Sequence, residues 1–270
     1  MLTNKLSAGD FVLFVGTLLG LIAFTWPLFI PDSQFFLLQH DYARLLAVLI
    51  AGFGVGVVAL EISRGAMDAK AVAILGVLAA MVAALRLVGA GAVGVEPMWF
   101  LLILASYSFG AKFGFALGIV SMATSAIITG GIGVWLPFQM ISAGWIGWLS
   151  GVAGLITGSI KNHFRFQKSI LVCLGVFCSL FFGALMDLQL WPWLAGTDTQ
   201  LSYVAGAAIL ENFQRFLVFH AATAFSWDIP RAITTALLIA ITARPLLNSF
   251  DRAKLRLNLI SHVREQKVNA

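Results

Sequence analysis

The chain has 270 residues, of which 60% are hydrophobic and only 11% charged, with a formal net charge of +5. Soluble domains carry about 25% charged residues, so this composition excludes soluble, disordered, collagen-like and disulfide-scaffold proteins and leaves a polytopic membrane protein. The apolar residues come in long blocks without alternation, which excludes a membrane β-barrel. The excess of positive charge reports membrane orientation rather than nucleic-acid binding.

A spanning helix needs about 20 mostly apolar residues. In chain order the candidates are 11–30, 42–63, 70–90, 97–109, 110–129, 136–156, 168–187 and 229–245. The first is read as a retained helix and not a signal peptide. One basic residue, Lys5, precedes it, no small-x-small cleavage site follows, and it leaves through Trp26-Pro27. The fourth and fifth form one apolar run that is too long for a single span. It divides at Ser106-Tyr107-Ser108-Phe109-Gly110 into a short helix and a full one.

Charge tests the count. With the N-terminus inside and the spans alternating, thirteen of the 17 Lys and Arg residues fall in inner segments. Eight crossings with both termini cytoplasmic therefore satisfy the positive-inside rule. The segment 201–222 is fairly apolar but holds Glu211, Asn212, Gln214, Arg215 and His220. A ninth span there would put the basic C-terminus on the wrong side. Residues 188–227 are instead expected to form a long external connection, with its own helix lying on or dipping into the membrane. Residues 251–270 are expected to be a short amphipathic helix or loose cytoplasmic tail. Cys173 and Cys178 share one apolar segment without a CxxC pattern and read as ordinary thiols.

Three rows of small residues suit close helix packing in lipid. The third span carries Gly76, Ala80 and Ala84; the fifth carries Gly110, Gly114 and Gly118; the sixth carries Ala143, Gly147 and Gly151. The last two are expected to pack within the bundle. The third span, whose Ala/Gly face is nearly continuous, is expected to meet a partner.

The outer side gathers aromatic and polar residues: Trp135 and Gln139 one turn apart, then Asp187, Trp191, Trp193, Asn212, Arg215, Trp227, Asp228 and Arg231. Aromatic walls with a few placed polar groups suit a small-molecule site. Trp135 also reads as an interfacial anchor, and Asp228 with Arg231 as a local ion pair at a helix start. There is no phosphate-binding loop, H-E-x-x-H, Cys/His metal cluster or G-x-S-x-G elbow. The histidines His40, His163, His220 and His262 are scattered, and no span shows the ionisable chain of a proton-coupled carrier. No metal, cofactor or catalytic activity is expected.

The chain resembles the substrate-binding (S) components of energy-coupling factor (ECF) transporters over about residues 66 to 250. The resemblance rests on Ala80-x-x-x-Ala84, Glu96-Pro97, Phe109-Gly110-x-x-Phe113-Gly114-x-x-x-Gly118, the 130–140 turn and Ala143-Gly144-Trp145-x-Gly147. Gly183-Ala184-Leu185-Met186-Asp187-x-x-x-Trp191-Pro192 and Trp227-Asp228-x-x-Arg231-Ala232 complete it. It implies an all-α fold with a six-helix core at 66–250, here preceded by an accessory transmembrane hairpin at 1–65 and followed by the tail at 251–270. It implies a cell-membrane protein that binds a vitamin from outside and topples against a transmembrane coupling subunit driven by two ATPase subunits. Gly76, Ala80 and Ala84 would dock to that subunit, and Trp191 and Trp193 would close over the ligand. The Gly133-x-Trp135-x-Pro137-Phe138-Gln139-Met140 turn is most similar to S components assigned to cobalamin, with riboflavin and thiamine-related compounds as alternatives. A membrane enzyme acting on lipids through Asp187, Glu211 and Asp228 is the reading from another class.

Overall fold

The computed structural model describes residues 8–29, 52, 56, 59, 69–89, 93–157, 164–194, 199 and 201–268. Among them there are seven helices and no strand: α1 Ala8–Phe29, α2 Ala69–Val88, α3 Met98–Phe109, α4 Ala111–Thr129, α5 Leu136–Thr157, α6 Phe164–Leu194 and α7 Ile209–Val268. Five contain segments long and apolar enough to cross a membrane: Ala69–Val88, Ala111–Thr129, Leu136–Thr157, Phe164–Pro192 and Ser226–Leu255. The expected second span, 42–63, lies almost wholly outside the described residues.

The short helix α3 is the centre. Its twelve residues rise only about 18 Å, less than the ~30 Å hydrocarbon layer. It escapes the need to span lipid because protein surrounds it: nine of the twelve residues are buried, Trp99, Leu102, Ile103 and Leu104 completely. Around it pack two antiparallel pairs, α4 with α5 and α6 with α7, while α2 lies on α3 and α4. The chain reverses from α3 into α4 on one residue, Gly110, at φ 101° and ψ 171°, a conformation that side chains disfavour.

The α4–α5 pair is a seam of small residues. Gly114 meets Gly147, Gly118 meets Ala143, and Gly151 meets Gly110 and Ala111, so the two helices run antiparallel with their backbones touching. A Cβ on Gly147 would overlap the Gly114 carbonyl, and one on Gly118 would overlap that of Ala143. These two rows therefore pack within the bundle, as expected. The row on α2 behaves differently. Gly76, Ala80 and Ala84 are exposed, and a Cβ at Gly76 would meet none of the described residues within 4 Å.

Helix α1 packs across α5, α6 and α7, with Gly20 against Trp145 and Phe24 edge-on to Phe138 at 5.1 Å between ring centroids.

The expected external connection needs correction. Helix α6 continues through residue 188 to Leu194, and α7 starts at Ile209 and runs unbroken through the last span to Val268. The helix expected on the membrane surface is thus the N-terminal part of the last spanning helix, and the expected tail is its C-terminal part. Sixty residues rise about 90 Å, so the polar ends of α7 exceed any hydrocarbon layer. Their polarity marks where the helix leaves lipid and does not mark a break. Pro230 and Pro245 lie inside it; each removes one helix N–H donor.

Candidate functional site

The helix directions bring the ends of α2, α4 and α6 and the starts of α3 and α5 to one end of the bundle, here the upper end. It is the end expected outside. Helix α7 passes through the same level near Trp227. The loop before α3 dips onto it: Gly94, at φ 69°, lies so close to the Trp227 carbonyl and Pro230 that any Cβ would overlap them. That close approach delivers Glu96 into the bundle.

Arg231 is the hub. Its side chain is 5% exposed. Nε donates to Glu96 Oε2 at 2.9 Å, and Nη1 donates to Asp228 Oδ1 at 2.6 Å and to the Ser179 carbonyl at 3.4 Å. The guanidinium also stands over the Phe182 ring, 5.1 Å from its centroid. Trp99 donates its indole N–H to the same Glu96 oxygen at 2.6 Å. A guanidinium suits this position because its fork serves several acceptors at once.

Asp228 lies against Gly183 of α6, where any side chain would overlap the carboxylate. Next to it, Asp187 Oδ2 is 2.6 Å from His220 Nδ1 and accepts the Thr223 hydroxyl at 2.7 Å. The His220 ring stacks on Phe216, 5.9 Å between centroids and 9° between planes. Metal-ligating atoms of Asp187, His220 and Asp228 all lie within 4.8 Å of one another.

A second polar group ties α2 to the seam. Arg86 donates to Ser125 of α4 at 2.7 Å and to Gln139 of α5 at 2.9 Å. Gln139, expected to face a ligand, thus has an internal partner, as an amide inside a membrane bundle requires.

Of the other expected ligand residues, three brace Thr199 and the 201–208 segment between α6 and α7. Trp191 donates its indole N–H to the Leu201 carbonyl at 2.7 Å and is fully buried. Asn212 exchanges both its amide groups with the backbone of Val204, at 2.8 and 3.1 Å. Arg215 pairs with Glu211 and donates to the Thr199 carbonyl at 3.1 Å. Tyr203 meets Trp191 edge-on at 5.4 Å, and burial pushes its phenol above its ordinary pKa. Trp135 and Trp227 are exposed, and the Trp193 side chain lies outside the described residues.

Asp187, Asp228 and Arg231 are therefore brought together, joined by Glu96, His220, Trp99 and Thr223, which the sequence reading did not place in a site. His220 read as scattered because the residues that meet it sit 33 positions earlier and eight later; the α6–α7 pairing brings Asp187 to it, while Asp228 lies about two turns further along α7. Its spacing from Thr223, three residues on one helix face, was the local signal available. Glu96 was legible only as an acid before a helix start.

At the lower end a cavity of about 590 Å³ opens among Tyr107, Gly110, Phe164, Gln167, Arg244 and Lys254. None of the ten expected ligand residues lines it.

The protein is a multi-pass membrane protein, helical with no strand among the described residues, with a charged cluster gathered at one end of its bundle. The chain matches no protein-family model, no curated protein and no solved structure.

Proposed function

We propose that the chain is the substrate-binding membrane subunit of an ECF-type importer, oriented with both termini in the cytoplasm and the upper end outward in the cell membrane. It has no catalytic activity of its own on this reading. One observation carries it. Three helices bear rows of small residues, two of those rows are consumed in the α4–α5 seam, and the row Gly76, Ala80, Ala84 is exposed, with none of the described residues within 4 Å of a Cβ placed at Gly76. Association in lipid uses such faces. A six-helix body with a smooth outward face and a polar upper end is the form a subunit needs if it binds a nutrient above and docks sideways on a coupling subunit with its two ATPases. Cobalamin is the substrate to which the resemblance points, ahead of riboflavin and thiamine-related compounds.

Co-expression with a coupling subunit and ATPases tests the assignment. The intact complex should co-purify and import labelled vitamin. Ala80→Trp should abolish both co-purification and import while leaving ligand binding unchanged. Failure of the wild type to co-purify overturns the proposal, as does an Ala80→Trp protein that imports normally.

The clustering of Asp187, His220 and Asp228 favours a second reading, a membrane enzyme acting on lipids. Two carboxylates and an imidazole can hold a metal or move a proton. Glu211, the third acid expected in that role, is instead paired with Arg215. Turnover of a lipid substrate that is lost in Asp228→Asn would support the enzyme.

A further inference from the structure

We propose that Asp187, His220 and Asp228 form a binding site for one first-row divalent transition cation at the upper end of the α6–α7 pair. The proposal does not depend on the importer reading.

Three observations carry it. The first is geometric. Two carboxylates and one imidazole, from two helices, place ligand atoms within 4.8 Å of one another. An N,O,O donor set suits zinc, cobalt, manganese or iron better than a hard cation such as calcium, which takes oxygen ligands only.

The second is an unused ligand atom. The Asp228 side chain is 3% exposed. Its Oδ1 accepts from Arg231, and its Oδ2 is buried with no hydrogen-bond partner. A carboxylate oxygen withdrawn from water without a donor costs heavily. A cation between Asp228 and its two neighbours would remove that cost.

The third is charge. Arg231 pairs with Glu96 and Asp228, and Arg86, bonded to Ser125 and Gln139, lies near enough to feel the charge of Glu96. Asp187 is instead met by His220 and Thr223. Three carboxylates against two guanidiniums leave the cluster net negative when His220 is neutral, in surroundings where unbalanced charge is expensive. A cation held by Asp187, His220 and Asp228 offsets that charge.

The surrounding groups already act as an outer shell. Thr223 orients the Asp187 carboxylate, Phe216 holds the imidazole plane, and Arg231 fixes Asp228 with Oδ2 left over. Such partners set ligand orientation at metal sites. Asp228 is enclosed, but the side chains of His220 and Asp187 are 24% and 20% exposed, which leaves an entry path. The 2.6 Å contact between His220 Nδ1 and Asp187 Oδ2 is a hydrogen bond. Two ligands of one tetrahedral ion stand ~3.3 Å apart. For Nδ1 and Oδ2 both to ligate the ion, the ring and carboxylate must part slightly as it enters, and the neutral ring then carries its proton on Nε2.

The test uses the full chain in detergent, stripped with chelator and titrated with Co2+ and then Zn2+. The expected result is one Co2+ per chain, with a visible absorption band stronger than that of the aqueous ion and displaced by Zn2+. X-ray absorption on the wild-type complex should show a nitrogen/oxygen shell containing one imidazole. His220→Gln, Asp187→Asn and Asp228→Asn should each weaken binding at least tenfold, since even outer-shell changes cost about 10–100-fold. His262→Gln should not. Asp228→Asn keeps an acceptor for Arg231, and the wild-type spectra decide the matter even if a variant fails to fold. No stoichiometric ion at micromolar free Co2+ overturns the proposal. So does a shell without imidazole, or binding that survives His220→Gln.

Discussion

The α4–α5 seam and the outward face of α2 are built from the same residue types at the same four-residue spacing, yet they do opposite things. In the seam, Gly114, Gly118, Gly147 and Gly151 each have a backbone against them. On α2, none of the described residues lies within 4 Å of where a Gly76 side chain would begin. Small residues thus permit close approach without saying what approaches. On α2 the inner side is settled by Arg86, which grips Ser125 on α4 and Gln139 on α5 and so turns the Gly/Ala side away from the seam. Beyond Lys70 in its first turn, α2 has one charged side chain, Arg86, and that residue fixes which face of an otherwise apolar helix looks in.

Substitutions can break this contrast. The largest effect is expected in the seam. Gly147→Leu puts a side chain into the Gly114 backbone, and backbone cannot step aside as a side-chain tip can. A loss of about 3 kcal/mol, the upper end of the usual overpacking cost, is expected. Thermal unfolding in detergent measures it, and a near-native midpoint would show that the seam is loose. Next comes Arg86→Met, which leaves Gln139 Oε1 without its donor and Ser125 with only its bond to the Met122 carbonyl. It should cost about 1–3 kcal/mol. Cross-linking between α2 and α4 should fall with it if Arg86 sets the orientation of α2. The smallest effect belongs to Gly76→Leu, whose Cβ meets none of the described residues within 4 Å. Its stability should be no lower than wild type by more than about 0.5 kcal/mol, and helix propensity favours a small gain, although co-purification with a coupling subunit should suffer. A destabilised Gly76→Leu would mean that the face is already covered within this chain and would remove the support for docking there.

The upper cluster extends the lesson to polar residues. Gln139 and Asp228 both read as ligand-facing from sequence, because a polar side chain in an apolar helix needs a partner. The requirement was right; the partner is internal for Gln139 and half internal for Asp228, whose second oxygen is left over. Asn212 and Trp191 are a further case. Both sit at the expected outer end, but each completes hydrogen bonds of the adjoining backbone, which a buried loop cannot leave unmet.

Composition and hydropathy alone established an all-helical, multi-pass membrane protein, the division at Gly110, and which small residues could allow helices to touch. Those are one-dimensional properties: apolar length against bilayer thickness, and side-chain size at helical spacing. Tertiary structure alone decided that α3 is an enclosed central helix and that residues 209–225 continue the last span. It alone joined Asp187, His220 and Asp228 with Glu96 and Arg231. Those outcomes depend on which helix lies beside which, and on how far a 60-residue helix outruns the membrane. A charge more than a hundred positions away, as Glu96 is from Arg231, leaves no local trace in the chain until packing brings the two within 2.9 Å.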